Sequence, residues 1–228
     1  MYIYQIEVSN VCSLQCEYCP HPTQERRKGF MSQETFAKCV RLYKMSQNRY
    51  PLFLHNFGEV LLHPKLPELL RHARAEGVEC SFYTNGVRPN GQPYDRDVWR
   101  NLADCGLKRV AFSAHALSIG QFRSAVRGVV QVTSIWDPKE SPRDTWAGQV
   151  GQEHGQDGQG ETPRVGPCIF ERENAFVVLW DGRISSCCID VEGRRSPLTV
   201  DEVLENGGYM FEPISLCDGC GCHVDKPM

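Results

Sequence analysis

Apolar and polar positions along the chain follow two alternating periods, which predict a repeated order of strands and helices. Short runs rich in β-branched and aromatic residues predict strands at 2–8, 52–57, 79–86, 108–114 and 129–136. Helical spacing predicts helices between them at 32–48, 65–77, 95–106 and 118–128. This alternation is typical of parallel strands with helical crossovers, as in a β/α barrel or a doubly wound sheet. We expect about five strands before Pro138, or six if another lies near Trp146.

The character of the chain changes after this region. Residues 138–166 are dominated by Gly, Gln, Asp, Glu and Pro, which predicts a linker or mobile loop between a barrel region at 1–137 and a second region at 167–228. In the second region, residues 174–188 read as a β-hairpin whose Asp181-Gly182 pair suits a type I′ turn. Thr199 and Glu202 have the spacing of a capping box, which predicts a short helix after them.

Composition restricts the class of protein. At 228 residues the chain can form one sizeable domain or a domain and a half. A formal charge of -3 gives no general basic surface for nucleic acid. No apolar run approaches the ~18 residues of a membrane span, and no signal sequence begins the chain, so we expect a cytoplasmic protein without a membrane partner. Twelve cysteines in a reducing compartment indicate metal ligands or reactive thiols.

Three cysteines follow the first predicted strand closely, at Cys12, Cys16 and Cys19. Thiolates at this spacing can bind three irons of a 4Fe-4S cluster and leave the fourth iron open. Structural zinc is the alternative, although such sites normally close with four ligands. The C-x3-C-x2-C spacing, with Tyr18 before the last cysteine, resembles the radical S-adenosylmethionine superfamily.

The resemblance implies a binding site for S-adenosylmethionine. Residues 57–60 look like the family's Gly-Gly-Glu-Pro segment, in which Gly58 and Glu59 would hold the amino group of the cofactor. Phe57 and Val60 depart from that pattern. Further along, Ser113 is similar to the polar residue that members place near the ribose, and Asn85 is a weaker candidate for cofactor binding.

The second region also resembles the family. Cys168, Gly182 and Cys187 fit the C-x(9-15)-G-x4-C signature of the auxiliary-cluster region called SPASM or, in its shorter form, twitch. Cys217 and Cys220 would complete four ligands, so the resemblance implies a second, closed 4Fe-4S cluster. Zinc remains an alternative at this site.

Several other residues adjoin these motifs. Cys188 and Cys222 lie beside presumed cluster ligands and are candidate hydrogen-atom donors or spare ligands. Arg26 and its two basic neighbours after the first cysteine motif are expected on a solvated loop.

The predicted fold is therefore α/β, a reduced partial (β/α)6-type TIM barrel with a small C-terminal twitch domain made of a hairpin and a helix. The resemblance implies reductive cleavage of S-adenosylmethionine and abstraction of a hydrogen atom from a substrate carbon, with an electron donor such as flavodoxin or ferredoxin. We favour a dehydrogenase of a polar small molecule, sugar or nucleotide. The alternatives are an epimerase with a cysteine hydrogen donor, an enzyme that modifies a peptide or nucleic acid, and a noncatalytic zinc-stapled binding protein. Because the first strand begins at once, a peptide-maturing role is disfavoured without being excluded.

Overall fold

The computed structural model describes residues 1–46, 48, 50–114, 116–137, 168–193 and 198–213. Its strands are β1 (Tyr2–Ile6), β2 (Leu52–Phe53), β3 (Cys80–Ser81), β4 (Tyr83–Thr84), β5 (Arg109–Ser113), β6 (Gln131–Trp136), β7 (Ala175–Val178) and β8 (Ile184–Ser185). Its helices are α1 (Gln33–Met45), α2 (Leu66–Ala75), α3 (Arg96–Asp104), α4 (Ile119–Val126), α5 (Ile169–Arg172) and α6 (Val200–Glu205). None of these described helices is long and apolar enough to cross a bilayer.

The helices begin where side chains can satisfy the first backbone N–H groups. The Ser32 side chain accepts a hydrogen bond from Thr35 N at the start of α1. At α6 both halves of the predicted capping box form, because the Thr199 side chain accepts from the N3 backbone and the Glu202 side chain reaches back to the cap. The strand–helix order predicted from the sequence is therefore confirmed in these described regions.

The strands form a parallel series. Parallel pairs join β1 to β7, β2 to β3, β4 to β5, and β5 to β6. Backbone hydrogen bonds link the pairs, from Val8 N to Leu54 O, from Leu54 N to Ser81 O, and from Ala111 N to Phe82 O. The strand positions follow in the order β7, β1, β2, then β3 and β4 together, then β5 and β6. The described residues therefore supply six strand positions. This agrees with the predicted partial (β/α)6-type barrel.

The sixth parallel position is filled from the C-terminal region. Strand β7 pairs in parallel with β1, with Tyr2 opposite Ala175, and Phe176 of β7 belongs to the same hydrophobic core as the barrel helices. The predicted hairpin therefore contributes one of its strands to the barrel sheet. The alternative position for a sixth strand, near Trp146, lies outside the described residues, and the division of the chain at 137 and 167 stays a prediction.

The hairpin between β7 and β8 is confirmed, but the predicted type I′ turn is wrong. Gly182 N donates to Leu179 O at 2.9 Å, and Leu179 N donates to Arg183 O at 2.8 Å. Within this turn only Gly182 has a positive φ, of 88°. A type I′ turn needs positive φ at both central residues, whereas a three-residue loop pairs a type I turn with one left-handed glycine. The loop is therefore one residue longer than the Asp-Gly signal suggests.

The barrel core is aromatic. Trp99, Phe82, Phe112 and Phe122 are among its fully buried side chains, and the rings of Phe112 and Phe122 stack with centroids 4.1 Å apart. This packing fixes the positions at which the strands end.

Candidate active site

A cavity of about 320 Å³ lies at the carboxyl ends of the parallel strands. Parallel barrels collect functional side chains at this edge because the loops that follow each strand meet there. The predicted site residues that line the cavity are Cys12, Cys16, Tyr18, Cys19, Gly58, Glu59, Asn85, Ser113 and Cys188. The structure thus brings together positions that are spread over most of the described chain, and the roles assigned to them stay predictions.

The three-cysteine loop follows β1 directly and forms one wall of the cavity. Cys19 N donates to Cys16 O at 3.0 Å, and Leu14 N contacts the Cys12 sulfur at 3.5 Å. Burial raises the pKa of Cys12 to about 12, with smaller contributions from the neighbouring Glu59 and the other two thiols. Iron would reverse this protonation, because a coordinating thiol is deprotonated by the metal.

The donor set fits an iron–sulfur cluster. Three half-buried thiols within one loop face the same space. Among the described residues no three Cys, His, Asp or Glu side chains converge closely enough to hold a single metal ion. Three thiolates are the ligand number that leaves one iron of a 4Fe-4S cluster without a protein ligand.

Gly58 allows the next segment to approach this loop. Its φ is 104°, and a Cβ atom there would lie 2.5 Å from Ser9 O and 2.7 Å from Asn10 Cα. Such contacts are prohibitive for any other residue, and the backbone conformation also favours glycine. The close approach permits a hydrogen bond from Glu59 N to Val11 O at 2.8 Å. Glu59 is consequently fixed beside the chain that leads into Cys12.

Glu59 is a buried carboxylate in the cavity wall, with 2% of its surface exposed. One of its oxygens accepts from Leu61 N at 3.0 Å and from Thr84 Oγ1 at 2.8 Å, and the other accepts from Asn85 N at 2.9 Å. Burial raises the pKa of Glu59, and these hydrogen bonds oppose that shift. The donors are all neutral, so within the described chain this carboxylate is hydrogen-bonded without a cationic partner.

Other predicted residues complete the wall. Ser113 ends β5 with 9% of its surface exposed. Asn85 follows β4, where its side-chain oxygen accepts from Val87 N at 3.0 Å while its backbone binds Glu59. The ring of Tyr18 packs edge to face against the ring of Trp136, which ends β6, and the ring centroids are 5.6 Å apart. These contacts place both polar and aromatic groups around the cavity.

The predicted ligands of the second cluster are described only in part. Cys168 and Cys188 pack against the same small apolar cluster, which contains Phe170 and Leu179. The Cys188 thiol hydrogen-bonds that of Cys187, and this contact together with burial raises the pKa of Cys187. Cys188 also lines the cavity of the three-cysteine loop.

The remaining predicted thiols, Cys217, Cys220 and Cys222, lie outside the described residues.

The expectation of a solvated basic loop is wrong for Arg26. Its side chain is only 6% exposed and donates two hydrogen bonds, of 2.5 and 2.6 Å, to the fully buried carboxylate of Glu7. Arg26 Nε also donates to Val191 O at 2.6 Å. The neighbouring Arg27 is exposed, as expected. The signal that sequence reasoning missed is Glu7 itself, a charged residue within an otherwise buried strand end, which requires a partner.

The ion pair connects the two cysteine regions. Glu7 lies between β1 and Cys12, and Trp180 N, at the β7–β8 turn, contacts its carboxylate at 3.4 Å. The carboxylate of Glu192 accepts from Glu25 N at 2.9 Å and from Arg26 N at 3.1 Å. The segment after Cys19 is therefore fastened to the segment after Cys188.

A partial parallel barrel with a three-cysteine loop at its carboxyl edge and a buried carboxylate beside it defines an iron–sulfur enzyme. The sequence profile of the Radical SAM superfamily matches residues 6–129, more than half of the 228 residues. The chain belongs to the radical SAM superfamily. Membership implies a 4Fe-4S cluster and S-adenosylmethionine.

Two curated relatives illustrate the range of the similarity. A tungsten-containing aldehyde ferredoxin oxidoreductase cofactor-modifying protein of Pyrococcus furiosus is 25% identical over 120 residues, which cover 53% of this chain and 32% of the relative. A GTP 3',8-cyclase of Chlorobaculum tepidum is 32% identical over 127 residues, which cover 54% of this chain and 36% of the relative. The chain spans less than half the length of the curated relatives it matches.

Solved structures share the fold at low sequence identity. BtrN in complex with AdoMet and 2-DOIA has a TM-score of 0.67 and 18% identity, over 87% of this chain and 77% of that one. SuiB of Streptococcus suis, bound to the precursor peptide SuiA, has a TM-score of 0.52 and 10% identity, over 97% of this chain and 70% of that one. The predicted radical SAM barrel layout is therefore confirmed.

Proposed function

We propose that this radical SAM enzyme is a dehydrogenase that removes a hydrogen atom from one carbon of a polar small molecule. Cys12, Cys16 and Cys19 would hold the first cluster, which would supply the electron for reductive cleavage of S-adenosylmethionine, and the cleaved cofactor would supply the group that takes the hydrogen atom from the substrate. The second electron would pass to an auxiliary 4Fe-4S cluster held by Cys168, Cys187, Cys217 and Cys220, and a proton would leave to water. The net change in the substrate is the loss of two hydrogen atoms.

The observation that carries the cofactor assignment is the environment of Glu59. A buried carboxylate without a cation is costly unless a positively charged ligand compensates it. Glu59 lies in the cavity wall shared with the three cysteines, and Gly58 holds it there through the close contact with Asn10. The α-amino group of S-adenosylmethionine would add a further hydrogen bond to Glu59, and the sulfonium of the same cofactor would bring the positive charge that the described chain does not provide. The polar wall formed by Ser113 and Asn85 supports contacts to the rest of the cofactor.

The placement of the described thiols supports oxidation. Cys168, Cys187 and Cys188 lie on the β7–β8 side of the barrel, and Cys188 reaches the cavity itself. An electron acceptor at that side would lie near the substrate.

Epimerisation is the second candidate, because the Cys188 thiol lines the cavity. A thiol in that position can return a hydrogen atom to the opposite face of the substrate radical. Cys222 is an alternative donor and lies outside the described residues. In this case the substrate is inverted without net oxidation, and the thiyl radical must be reduced before the next cycle by the external electron donor.

The substrate class is also part of the proposal. The described lining residues include Gln5, His55 and Asn56, whose polar groups favour a polar small molecule, sugar or nucleotide. A nucleotide is the alternative suggested by the GTP 3',8-cyclases, and a peptide is that suggested by SuiB with its precursor peptide. We expect a cytoplasmic enzyme with flavodoxin or ferredoxin as electron donor.

The test begins with protein purified without oxygen. We expect a brown protein with absorbance near ~400 nm and about eight irons per chain, which forms 5′-deoxyadenosine from S-adenosylmethionine and a strong reductant. A colourless protein that contains zinc alone would contradict the proposal and support the binding-protein alternative.

The products then separate the two reactions. A dehydrogenase gives a product two hydrogens lighter than its substrate, whereas an epimerase gives unchanged mass in ordinary water and one deuterium in deuterated water. Cys188→Ala should abolish that deuterium incorporation in an epimerase, and Cys105→Ala serves as a control because Cys105 is buried in the core. Unchanged mass with one solvent deuterium would overturn the dehydrogenase assignment.

A further inference from the structure

A β-bulge in β1 turns two consecutive side chains toward the cavity. Ile3 lies opposite Phe176 of β7 and Gln5 lies opposite Val177, so β1 contains one extra residue, Tyr4, between the two pairs. Neighbouring residues of a regular strand point to opposite faces, but here both Tyr4 and Gln5 line the cavity. Bulges re-aim side chains in this way and are frequent beside functional sites. The cluster and cofactor motifs include neither residue.

Gln5 is held in place by a second amide. Its Nε2 atom donates to Asn56 Oδ1 at 2.5 Å, and only 7% of its surface is exposed. Asn56 lies two residues before Gly58 and also lines the cavity. Because the amide nitrogen binds Asn56, the atom that Gln5 can offer to a ligand is its carbonyl oxygen, which is a hydrogen-bond acceptor. An amide in a fixed orientation is suited to binding a hydroxyl or amino group.

Tyr83 lies one layer deeper in the barrel than Ser113. Phe112 of β5 stacks on Phe122 of α4, so the residues on either side of it, Ala111 and Ser113, point into the barrel. Ser113 lines the cavity, and Ala111 lies about 6–7 Å from it toward the amino end of the strand. Tyr83 is opposite Ala111 in the register of β4 and β5, so it belongs to this deeper layer.

The ring of Tyr83 spans the deeper layer. Ser134 of β6 is also opposite Ala111, whose side chain is too small to separate its two neighbours. Tyr83 Oη reaches across β5 and donates to Ser134 Oγ at 3.1 Å. A further contact comes from His55, whose ring centroid lies 5.0 Å from that of Tyr83. Tyr83 is only half-buried and lines the cavity, so these contacts hold an aromatic surface that a ligand can reach.

The composition of this layer points to a class of ligand. The interior of a closed parallel barrel is normally filled by branched apolar side chains. Here the described residues at this depth place two amides and two tyrosines against a cavity. A tyrosine ring offers an apolar face with partial negative charge, which suits the C–H groups of a saturated ring. The carbonyl oxygen of Gln5 suits the hydroxyl groups of the same ring.

We propose that Tyr4, Gln5 and Tyr83 bind the substrate, and that the substrate is a hydroxylated saturated ring, as in a sugar. The inference rests on the proposed function and narrows its substrate class. A hydroxyl group of the ring donates to Gln5 Oε1, and C–H groups of the ring pack against the two tyrosines. Asn56 is a positioning residue that acts through Gln5.

The test measures binding of probes to the full chain with its clusters in place and S-adenosylmethionine bound, without reductant. The ring probes are glucose, glucosamine and myo-inositol, and the other probes are GTP and tetra-alanine. Titration by saturation-transfer NMR gives the dissociation constants. We expect a ring probe to bind the wild type most tightly. Gln5→Leu and Tyr83→Leu should each bind that probe about tenfold more weakly, because each loses one contact.

Two further variants serve as controls. Tyr2→Leu is the matched control, because Tyr2 is half-buried on the same strand as Tyr4 and is not among the described residues of the cavity wall. It should bind the ring probe as the wild type does. Tyr83→Phe removes the hydroxyl that binds Ser134 but keeps the aromatic face, and it should bind the probe within about threefold of wild type. All variants should retain wild-type iron and wild-type affinity for S-adenosylmethionine in equilibrium dialysis.

The outcomes separate the substrate site from the cofactor site. Tighter binding of GTP or tetra-alanine than of the ring probes would overturn the substrate class, and so would the failure of every ring probe to bind. Unchanged probe binding in both Gln5→Leu and Tyr83→Leu would overturn the assignment of these residues, as would a parallel loss of affinity for S-adenosylmethionine. A wild-type protein that carries iron but does not bind S-adenosylmethionine would instead refute the proposed function itself.

Discussion

Replacing Arg26 with Met should destabilise the protein strongly, although none of the hydrogen bonds of Arg26 in the described part of the chain is to a cysteine. The substitution keeps much of the apolar stem and removes the guanidinium that binds Glu7. Glu7 is then left fully buried with only the two long contacts from Phe57 N and Trp180 N, both at 3.4 Å. Removal of one partner from a buried ion pair costs about 3–5 kcal/mol.

This cost predicts a measurable shift in thermal unfolding. For a chain of this size, each kcal/mol lowers the melting temperature by about 2–4 °C, so Arg26→Met should melt about 6–20 °C below wild type. The assay is circular dichroism of anaerobic protein with matched iron content. Arg27→Met is the control, since Arg27 is adjacent and exposed, and it should melt within about 2 °C of wild type.

A double variant tests the cause. If Arg26 acts by compensating Glu7, the pair Glu7→Met with Arg26→Met should be less destabilised than the sum of the two single variants. Two results would refute the assignment of the ion pair as a main link between the two cysteine regions. One is that the losses of stability of the two single variants are additive in the double variant. The other is that Arg26→Met and Arg27→Met have the same melting temperature.

Three further predictions address the cavity and its surroundings. Replacing Cys12, Cys16 and Cys19 with Ala should remove about half of the iron and all cleavage of S-adenosylmethionine, measured by iron assay and by 5′-deoxyadenosine formation; persistent cleavage would contradict the ligand assignment. Glu59→Gln should weaken S-adenosylmethionine binding by about 1.5–3 kcal/mol in equilibrium dialysis, because the charge-assisted contact is lost. Unchanged affinity would mean that Glu59 does not bind the cofactor and makes only its structural hydrogen bonds. Burial lowers the pKa of His63 below its usual 6.5, so the unfolded chain binds that proton more readily and stability falls as pH drops below about 6.5. Urea unfolding at two pH values should show a smaller fall for His63→Gln.

The periodic segments were predictable because local rules decide them. Ser32 and Thr199 cap helices through contacts within three residues, and such signals are legible in a sequence. The spacing of the three cysteines after β1 is equally local. These features, together with the family resemblance, were sufficient for the fold class and for nine of the 19 described residues that line the cavity.

Long-range features were not predictable in the same way. The partner of Glu7 could not be identified because Arg26 is one of three consecutive basic residues, and only the folded geometry shows that its side chain turns inward. The sixth strand position likewise depends on pairing between distant segments, which periodicity does not encode.

The pairing of β1 with β7 has a consequence for how the protein is made. Residue 2 leaves the ribosome long before its partner at residue 175. Until then β1 exposes an unpaired edge, and nascent chains with such edges are prone to intermolecular association. Contacts between segments so far apart in sequence also slow folding. The cysteine loop next to β1 therefore remains on an incompletely closed sheet until β7 has been made, and we expect that stable cluster insertion follows the pairing of β7 with β1.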